Sequence, residues 1–473
     1  MAADRDLAFA PAHQLASLIR RRKLSPVELV DIYLERIDRL NPRLNAYLTV
    51  CHDLARAAAR DAEAAVMRGE ELPPLHGVPV PIKDLNWTQG VRTTGGSLAY
   101  KDFVPDDDGA VVERLKQAGA IVIGKTNTSE LGQSATTENR LGDDCRNPWD
   151  PACTSGGSSG GAGAAVAAGL APLAQGSDGG GSIRIPAGFC GVYGIKPTQG
   201  RVPGGGSMGG MPLFSQSGPL SRAVRDAALL LAAIAGHDPR DPASLRETPP
   251  DFVAAFRRGK RSGPWRIAWS PDMGYAAVDP VVRQAAEAAA RVFEGLGHKV
   301  EEATPPIDDP FAVFGPIILA DEFAVSGHLL EEHAHELMPY VRAALERGQD
   351  IRAHEYSKAL RGLERIRLQM AEFFDLYDLL LTPTLAVPAF PVGERPRLIA
   401  GVKVSALWGA FPFTMPFNLT GNPAASLPCG FSPAGLPIGL QVVGRCGEEA
   451  TVLRASVAFE EARPWAARRP PVS

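Results

Sequence analysis

The stretch Thr154–Gly191, TSGGSSGGAGAAVAAGLAPLAQGSDGGGSIRIPAGFCG, places two clusters of glycine and serine around an apolar run and contains no histidine. Mixtures of glycine and serine often form flexible linkers, because they bury too little apolar surface to offset the entropy of ordering. Here, however, an alanine-rich helical pattern and a short apolar segment lie between the clusters, so both are attached to packed structure. Glycines held in this way let the backbone approach a ligand closely. The stretch therefore predicts a pair of functional loops.

The composition of the 473 residues is that of an ordinary globular protein, with 45% hydrophobic and 22% charged residues. Such a chain can bury a sizeable core. The net charge of -4 is spread along the chain, which gives no electrostatic footprint for nucleic acid or for an anionic membrane. The six cysteines are too far apart for a disulfide scaffold, and no C-x-x-C pair indicates zinc.

The N-terminal residues and the longest apolar run bear on where the protein works. Residues 1–23 lack the basic segment, the apolar segment and the cleavage site of a secretory signal, so we expect a cytoplasmic protein. The longest weakly apolar run, 161–174, consists largely of alanine and glycine and is shorter than the ~18 residues that a membrane helix needs. The sequence therefore predicts no membrane association.

The first 70 residues are predicted to be a helical segment. Ser25 and Glu28 have the spacing of a capping box, and apolar residues then recur at helical intervals. A second, alanine-rich helix over 51–67 is predicted to stop at Gly69.

Beyond this segment, short apolar runs alternate with helical patterns. The predicted strands are 77–85, 120–124, 266–270, 378–383 and 439–444. The predicted helices are 110–117, 281–296 and 354–374. Alternation over such a length favours an α/β sheet covered by helices on both faces.

The fold prediction is a single α/β/α domain over residues 1–473 with a central mixed sheet. No internal repeat and no long linker divides the chain. The region of about 220–350 is interpreted as a candidate helical insertion that caps a site. The functional loops are expected at one edge of the sheet.

Two glycine motifs match nucleotide-binding patterns. Residues 119–126, GAIVIGKT, fit the phosphate-loop pattern, but a phosphate cradle needs a loop between the two glycines, and here the intervening residues are themselves a predicted strand. Residues 204–209 fit the G-x-G-x-x-G pattern, but no apolar strand precedes them and no helical pattern follows. Neither motif predicts a nucleotide site.

A third motif leaves an alternative open. Gly156–Gly160 fits the G-x-S-x-G elbow of α/β-hydrolases, with Ser158 as nucleophile. That elbow requires a preceding strand, whereas 147–155 is predicted to be turn-like. It also requires a downstream histidine, and the candidates are His237, His298, His328, His333, His335 and His354. This interpretation is weakened but stays open.

Two of these histidines, His333 and His335, have a spacing from which a metal-binding pair could be proposed. They lie in the charged run EEHAHE, which is more typical of a solvated helix face than of a metal site. We therefore expect no metal site.

Lys83 ends the apolar run GVPVPIKDL at 77–85. A lysine at the end of a buried strand is costly unless it is paired, exposed or made neutral. One interpretation is that its amine simply reaches solvent at the strand end. The other is that a buried lysine takes part in chemistry.

Five segments together resemble the amidase signature family of Ser-Ser-Lys hydrolases. They are GVPVPIKD at 77–84, GGSSGG at 156–161, GSDGGGSIRIPAGFCGVYGIKPT at 176–198, LTPT at 381–384 and FNLTGNPAASLPCG at 417–430. The resemblance covers most of the chain, and the combination is far more specific than the three short motifs above. It implies the family's α/β/α fold and an amidase that acts on linear amide C–N bonds.

By position in these motifs, the resemblance implies Ser182 as nucleophile, Ser158 as the second serine and Lys83 as the base. It also implies an oxyanion hole formed by backbone N–H groups, with Asp178 and Arg184 as a supporting pair. The residues of that hole are Gly179, Gly180, Gly181 and Ser182. It calls for no metal and no cofactor.

The sequence departs from the family's pattern at two positions. Gly179 stands where a bulkier residue such as threonine is common, which puts the shape of the oxyanion loop in doubt. Ser155 stands where proline is common. Neither departure touches the three catalytic candidates.

The chemistry requires a base for the serine hydroxyl, because a serine is a weak nucleophile until its proton is taken. An unperturbed lysine has a pKa of about 10.4, and burial is the plausible means of bringing it near neutrality. Ser158 would then pass the proton from Ser182 to Lys83, and later return one to the leaving amine.

The implied function is hydrolysis of carboxylic amides, with carbamates, anilides and esters also passing through the same oxyanion. Apolar or aromatic substrates are favoured by the segments 309–325 and 405–417, which are rich in Phe, Ile and Leu. One alternative is the glutaminase subunit of a tRNA-dependent amidotransferase, a member of the same family. Another is a catalytically dead binding protein, which is disfavoured because all three catalytic candidates are present.

The expected partner is a small-molecule amide or carbamate substrate. Nucleic acid and membrane are not expected to bind. A homodimer is compatible with the sequence.

Overall fold

The computed structural model describes residues 2–209, 211–256, 264–307 and 310–473. The helices are α1 Ala2–Phe9, α2 Ala12–Arg20, α3 Pro26–Leu44, α4 His52–Arg68, α5 Ala110–Gln117, α6 Gly160–Ala167, α7 Arg184–Cys190, α8 Val224–Ile234, α9 Pro280–Gly295, α10 Phe311–Ser326, α11 Leu329–Glu332, α12 Pro339–Gln349, α13 Ala353–Leu376, α14 Pro416–Leu419 and α15 Glu449–Ala462.

The strands are β1 Tyr47–Val50, β2 Pro79–Lys83, β3 Ile121–Thr126, β4 Arg146–Asn147, β5 Asp150–Thr154, β6 Leu173–Asp178, β7 Tyr193–Lys196, β8 Gln216–Ser221, β9 Arg266–Trp269, β10 Lys299–Glu302, β11 Leu379–Pro383, β12 Leu398–Ile399, β13 Val402–Lys403, β14 Ala424–Phe431 and β15 Pro437–Gly444.

A mixed central sheet has the strand order β10-β9-β11-β15-β14-β7-β8-β6. Strands β10, β9 and β11 run parallel to one another, and the remaining neighbours pair antiparallel. A smaller sheet, β1-β3-β2, lies beside β6, where the backbone N–H of Lys83 donates to Gln175 Oε1. The ends of β2 and β6 are thereby brought together.

Both faces of the central sheet are buried. In β9, Ile267 and Trp269 pack into one apolar cluster together with α8, α9 and α15, whereas Ala268 packs into another together with α10 and α13. The same alternation recurs in β11, as expected when successive side chains of a strand point to opposite faces. The predicted mixed sheet with helices on both faces is confirmed.

Most of the predicted elements are present within a few residues of their expected bounds. Ser25 Oγ accepts hydrogen bonds from the N–H groups of Val27 and Glu28 at the start of α3, and Gly69 ends α4 with a φ of 77°. The segment predicted as a strand rather than a phosphate loop is β3. Among the described helices, none is long and apolar enough to cross a membrane.

Three expectations need correction. The helical segment 1–70 also contains β1, whose residues Tyr, Thr and Val favour strands and which pairs antiparallel with β3. The region 220–350 is not a purely helical insertion, because it supplies β9 and β10 to the central sheet; within it, 257–263 and 308–309 lie outside the described residues. The stretch 147–155 contains β5, which pairs antiparallel with β4 in a two-stranded sheet; in addition, the N–H of Thr154 donates to the carbonyl of Phe390.

Candidate active site

Lys83 lies at the carboxyl end of β2 with its side chain fully buried. Its Nζ lies 2.7 Å from Ser158 Oγ and 3.0 Å from Ser177 Oγ. The amine therefore does not reach solvent at the strand end. It faces two hydroxyl groups in the interior.

The charge state of Lys83 follows from this burial. Desolvation lowers the pKa of Lys83 from 10.5 to about 7, and the negative charge of Asp178 opposes the shift only in part. Burial acts in this direction because the charged ammonium loses its hydration while the neutral amine loses little. Near neutral pH, Lys83 thus populates the neutral form that can accept a proton.

Ser158 stands in the tight loop before α6. A Cβ at Gly157 would lie 2.6 Å from the backbone carbon of Thr136, so glycine is required there. The Gly157–Ser158 peptide bond is cis, and Thr137 Oγ1 donates to the carbonyl of Gly156 at 2.8 Å. The loop holds the Ser158 side chain in the interior, where the residue is 2% exposed.

Ser182 ends the loop between β6 and α7, and this loop is fastened to that of Ser158. The N–H of Ser159 donates to the carbonyl of Ser182 at 3.2 Å, and Ser159 Oγ donates to the carbonyl of Ser177 at 3.1 Å. Ser182 and Ser158 line the same cavity, with Ser182 the more exposed of the two. The two glycine-rich loops are therefore neighbours, as the sequence predicted.

The predicted oxyanion loop needs one correction. The N–H of Gly181 donates to Asp178 Oδ1 at 2.7 Å, so this amide is committed to the protein itself. Gly181 has a φ of 135°, and a Cβ there would overlap the Thr414 side chain, which explains the glycine. The candidate oxyanion donors are reduced to the N–H groups of Gly179, Gly180 and Ser182.

Asp178 and Arg184 form a fully buried ion pair beneath this loop. Arg184 Nη2 lies 2.8 Å from Asp178 Oδ1, and Arg184 Nε donates to Asp178 Oδ2 at 2.9 Å. The guanidinium also donates to the carbonyl of Thr414, to Gln441 and to Asn418. Burial alone would raise the pKa of Asp178, but the adjacent guanidinium outweighs it and holds that pKa well below its usual range. The predicted supporting pair is present, and its carboxylate fixes the loop.

Replacing Arg184 with methionine is expected to destabilise the fold by about 3–5 kcal/mol, because it leaves a buried carboxylate without its partner. Urea unfolding measures this change. The matched control is Arg361→Met on α13, whose side chain is 80% exposed and pairs with the exposed Glu364. Surface pairs contribute about 0–1 kcal/mol. An Arg184→Met protein as stable as the control would contradict the supporting role.

A cavity of about 360 Å³ opens onto both serines. Its walls include Gly132, Gly179 and the glycine-rich segment 203–209. No histidine is among the lining residues in the described part of the chain. The geometry thus gives Ser158 a lysine neighbour, in contrast to the histidine that an α/β-hydrolase elbow requires.

Ser177 is a site residue that the sequence reasoning did not single out. Its hydroxyl lies 3.0 Å from Lys83 Nζ, and it lines the cavity. It stands in the motif GSDGGGS, but its contact with Lys83 depends on how β6 lies against β2. Only the alternation of side chains along β6, which sets Gln175 and Ser177 on one face, carried a signal.

An aromatic cluster lies against Gly180. A Cβ there would be 3.2 Å from Trp408 and 3.4 Å from Phe314. The rings of Phe314 and Phe311 each lie 5.5 Å from that of Trp408, and Phe214 stacks on Phe314 at 5.7 Å. Aromatic side chains therefore adjoin the loop that carries the candidate oxyanion donors.

The other residues that the sequence motifs singled out, Lys125 and the histidines of EEHAHE, lie outside the candidate active site. Lys125 of the phosphate-loop match is buried and donates to the carbonyl of Asn86 and to the hydroxyls of Thr88 and Thr93. The run EEHAHE is not one helix, since α11 ends before the two histidines. Within the described residues, no group of three or more His, Cys, Asp or Glu side chains is placed to hold a metal ion.

Comparisons with known proteins agree over nearly the whole chain. The family model for amidases matches residues 28–453. An acylamidase from Rhodococcus erythropolis is 37% identical over 99% of this chain and 98% of its own length. One subunit of the glutamyl-tRNA(Gln) amidotransferase from Moorella thermoacetica is 39% identical over 98% of this chain and 99% of its own length.

Solved structures give the same answer for the fold. The crystal structure of a bacterial aryl acylamidase of the amidase signature family superposes with a TM-score of 0.90 at 32% identity, covering 97% of each chain. The chain therefore belongs to the amidase signature family and is an amidohydrolase that cleaves amide C–N bonds.

Proposed function

We propose that this protein is a free-standing hydrolase of apolar or aromatic substrates. It cleaves their amide bonds, including those of anilides, and also carbamates and esters, through a Ser182 acyl-enzyme. The observation that carries the substrate class is the aromatic cluster of Trp408 and Phe314 against Gly180. The observation that supports the chemistry is a buried lysine within hydrogen-bond distance of a serine in the same cavity as Ser182.

In the proposed mechanism, Ser182 Oγ attacks the substrate carbonyl carbon. Its proton passes to Ser158 Oγ, while the proton of Ser158 passes to the neutral amine of Lys83. The N–H groups of Gly179, Gly180 and Ser182 stabilise the oxyanion. When the tetrahedral intermediate collapses, the C–N bond breaks and the leaving nitrogen takes a proton from Ser158, as Lys83 returns its own. Water then hydrolyses the acyl-enzyme by the same relay.

The aromatic cluster against Gly180 supports an apolar substrate; it adjoins the loop of the candidate oxyanion donors and is not among the described residues that line the cavity. Segments 309–325 and 405–417, the candidate pocket segments, provide the aromatic rings described above, although Asp309 itself lies outside the described residues. Aromatic side chains bind apolar and aromatic groups through large contact areas and edge-to-face packing. Two of the similar proteins are an acylamidase and an aryl acylamidase.

Glutamine hydrolysis within a larger assembly is the second candidate, because another similar protein belongs to an amidotransferase. A glutamine substrate carries an ammonium and a carboxylate that need charged partners. Among the described residues lining the cavity, the charged ones are Arg240 and Asp241. Arg240 is already paired with Asp238 and Glu113 at 2.7 Å each, and Asp241 accepts from the N–H of Gly204. This pairing disfavours glutamine.

The test is a substrate screen of the isolated chain on acyl 4-nitroanilides, a nitrophenyl carbamate and glutamine. We expect kcat/KM for an aromatic anilide to exceed that for glutamine by about 100-fold or more, since the ammonium and the carboxylate of glutamine would lose hydration without gaining free charged partners. Dominant glutaminase activity, or activity only after partner proteins are added, would favour the assembly.

A further inference from the structure

We propose that Met211 is a specificity-determining residue, which limits the size of the apolar group that a substrate places beside Gly179. The inference rests on the proposed function of the cavity. Met211 lines that cavity together with Gly179 and Ser182. Its side chain is therefore part of the wall next to the candidate nucleophile.

The contact with Gly179 is close. A Cβ at Gly179 would lie 2.8 Å from Met211 Cε and 2.9 Å from Met211 Sδ, distances at which one of the two side chains must move. Ser215 is the next neighbour, at an ordinary 3.8 Å. The methionine thus occupies the space that a side chain at Gly179 would take, and the loop and the pocket wall fit each other.

The backbone of Met211 is fixed in an unusual conformation. Its φ is 87°, a region that residues other than glycine rarely adopt. Its carbonyl accepts hydrogen bonds from the N–H groups of Phe214 and Ser215, at 3.1 and 2.9 Å. The buried ring of Phe214 anchors this turn by stacking on Phe314. A side chain that emerges from a fixed turn has a defined reach into the cavity.

The chemistry of methionine suits this role. Its thioether is polarisable and unbranched, packs against irregular apolar groups and makes favourable contacts with aromatic rings. A group attached to the carbonyl carbon at Ser182 must pass this thioether when it extends past Gly179. Removing the thioether lengthens the pocket at that point.

The first experiment measures kcat/KM for the wild type, Met211→Gly and Met211→Ala in two substrate series. One series varies the acyl chain of 4-nitroanilides from acetyl to octanoyl, and the other varies the para-alkyl group of acetanilides. Glycine suits the positive φ, so Met211→Gly keeps the test valid if Met211→Ala folds poorly. We expect the ratio of kcat/KM for long substrates to kcat/KM for short substrates to rise about 10-fold in one of the two series, since each further buried methylene favours binding about 4-fold.

The control is Met67→Ala, because Met67 lies on the exposed face of α4 and its residue is 64% exposed. Its ratio of kcat/KM for long substrates to kcat/KM for short substrates is expected to match that of the wild type. A ratio unchanged by Met211→Gly in both series, in an active enzyme, overturns this inference alone. A wild type with no anilide hydrolysis and no covalent label on Ser182 overturns the proposed function and this inference with it.

A double-mutant cycle tests the contact itself. Gly179→Ala is expected to displace the flexible end of the Met211 side chain, and so to lower kcat/KM for the long substrates about 10-fold with little change in melting temperature. In the Met211→Gly background, the same change is expected to cost less than about 2-fold. Equal losses of kcat/KM in the two backgrounds would mean that Met211 does not limit the cavity beside Gly179.

Discussion

Replacing Ser182 with alanine is expected to lower kcat for an aromatic 4-nitroanilide by about 10⁴-fold or more, because removal of a nucleophile costs about as much as removal of the whole catalytic unit. The same change is expected to abolish covalent labelling by a fluorophosphonate. Mass spectrometry of the labelled peptide measures the second effect. The matched control is Ser357→Ala on the exposed surface of α13, which is expected to keep wild-type turnover and labelling.

Ser158→Ala separates the roles of the two serines. Because Ser158 passes the proton but forms no bond to the substrate in the proposed mechanism, its loss is expected to slow turnover while labelling of Ser182 continues at a reduced rate. An adduct on Ser158 with Ser182 unmodified would reverse the assignment. It would favour the nucleophile-elbow interpretation of Gly156–Gly160.

The fold was predictable to the extent that local patterns decide it. The apolar runs of β2, β3 and β11 were predicted to be strands from the sequence, and Ser25 and Gly69 mark helix ends by local geometry. Strand β5 was not predicted, because its sequence, DPACT, shows no alternation of apolar and polar residues. It pairs antiparallel with β4 in a two-stranded sheet, and the N–H of Thr154 also donates to Phe390, far away in the chain. Long-range pairing of this kind leaves no periodic signal.

In the candidate active site, too, some features were predictable from sequence motifs and others depend on the folded conformation. The resemblance identified Lys83, Ser158 and Ser182 from motif positions, and the structure places the first two in contact and the third in the same cavity. The use of the Gly181 amide by Asp178 was not predictable, because it depends on the conformation of the loop. The contact of Met211 with Gly179 was hidden for a similar reason, since the two positions lie 32 apart in the sequence.

The buried amine of Lys83 sets both the pH dependence of activity and part of the stability. The proposed base must be neutral, and desolvation lowers the pKa of Lys83 to about 7. Activity is therefore expected to rise with pH through about 7 and to level off above it. Lys83→Met is expected to lower kcat by about 10³-fold or more and to leave a residual rate that does not change between pH 6 and pH 9.

The lowered pKa that favours catalysis also costs folding stability at neutral pH. The unfolded chain keeps Lys83 protonated up to about pH 10, whereas the folded protein releases that proton above about pH 7, so the free energy of unfolding rises with pH between these values. Lys83→Met removes the cost of burying the amine at neutral pH. The variant is expected to gain stability on the order of 4 kcal/mol at pH 7, and less as the pH approaches 10.

Lys196 supplies the matched control. Its pKa is also lowered to about 7, chiefly by burial and then by the charge of Arg184, but its Nζ donates to the carbonyl of Pro197, and Lys196 does not line the described cavity. Lys196→Met is expected to gain stability at pH 7 as well, while its pH–rate profile keeps a midpoint near 7. Stability from urea unfolding and kcat/KM from pH 6 to pH 9 separate the two lysines. A midpoint that survives Lys83→Met and disappears in Lys196→Met would show that Lys83 is not the base.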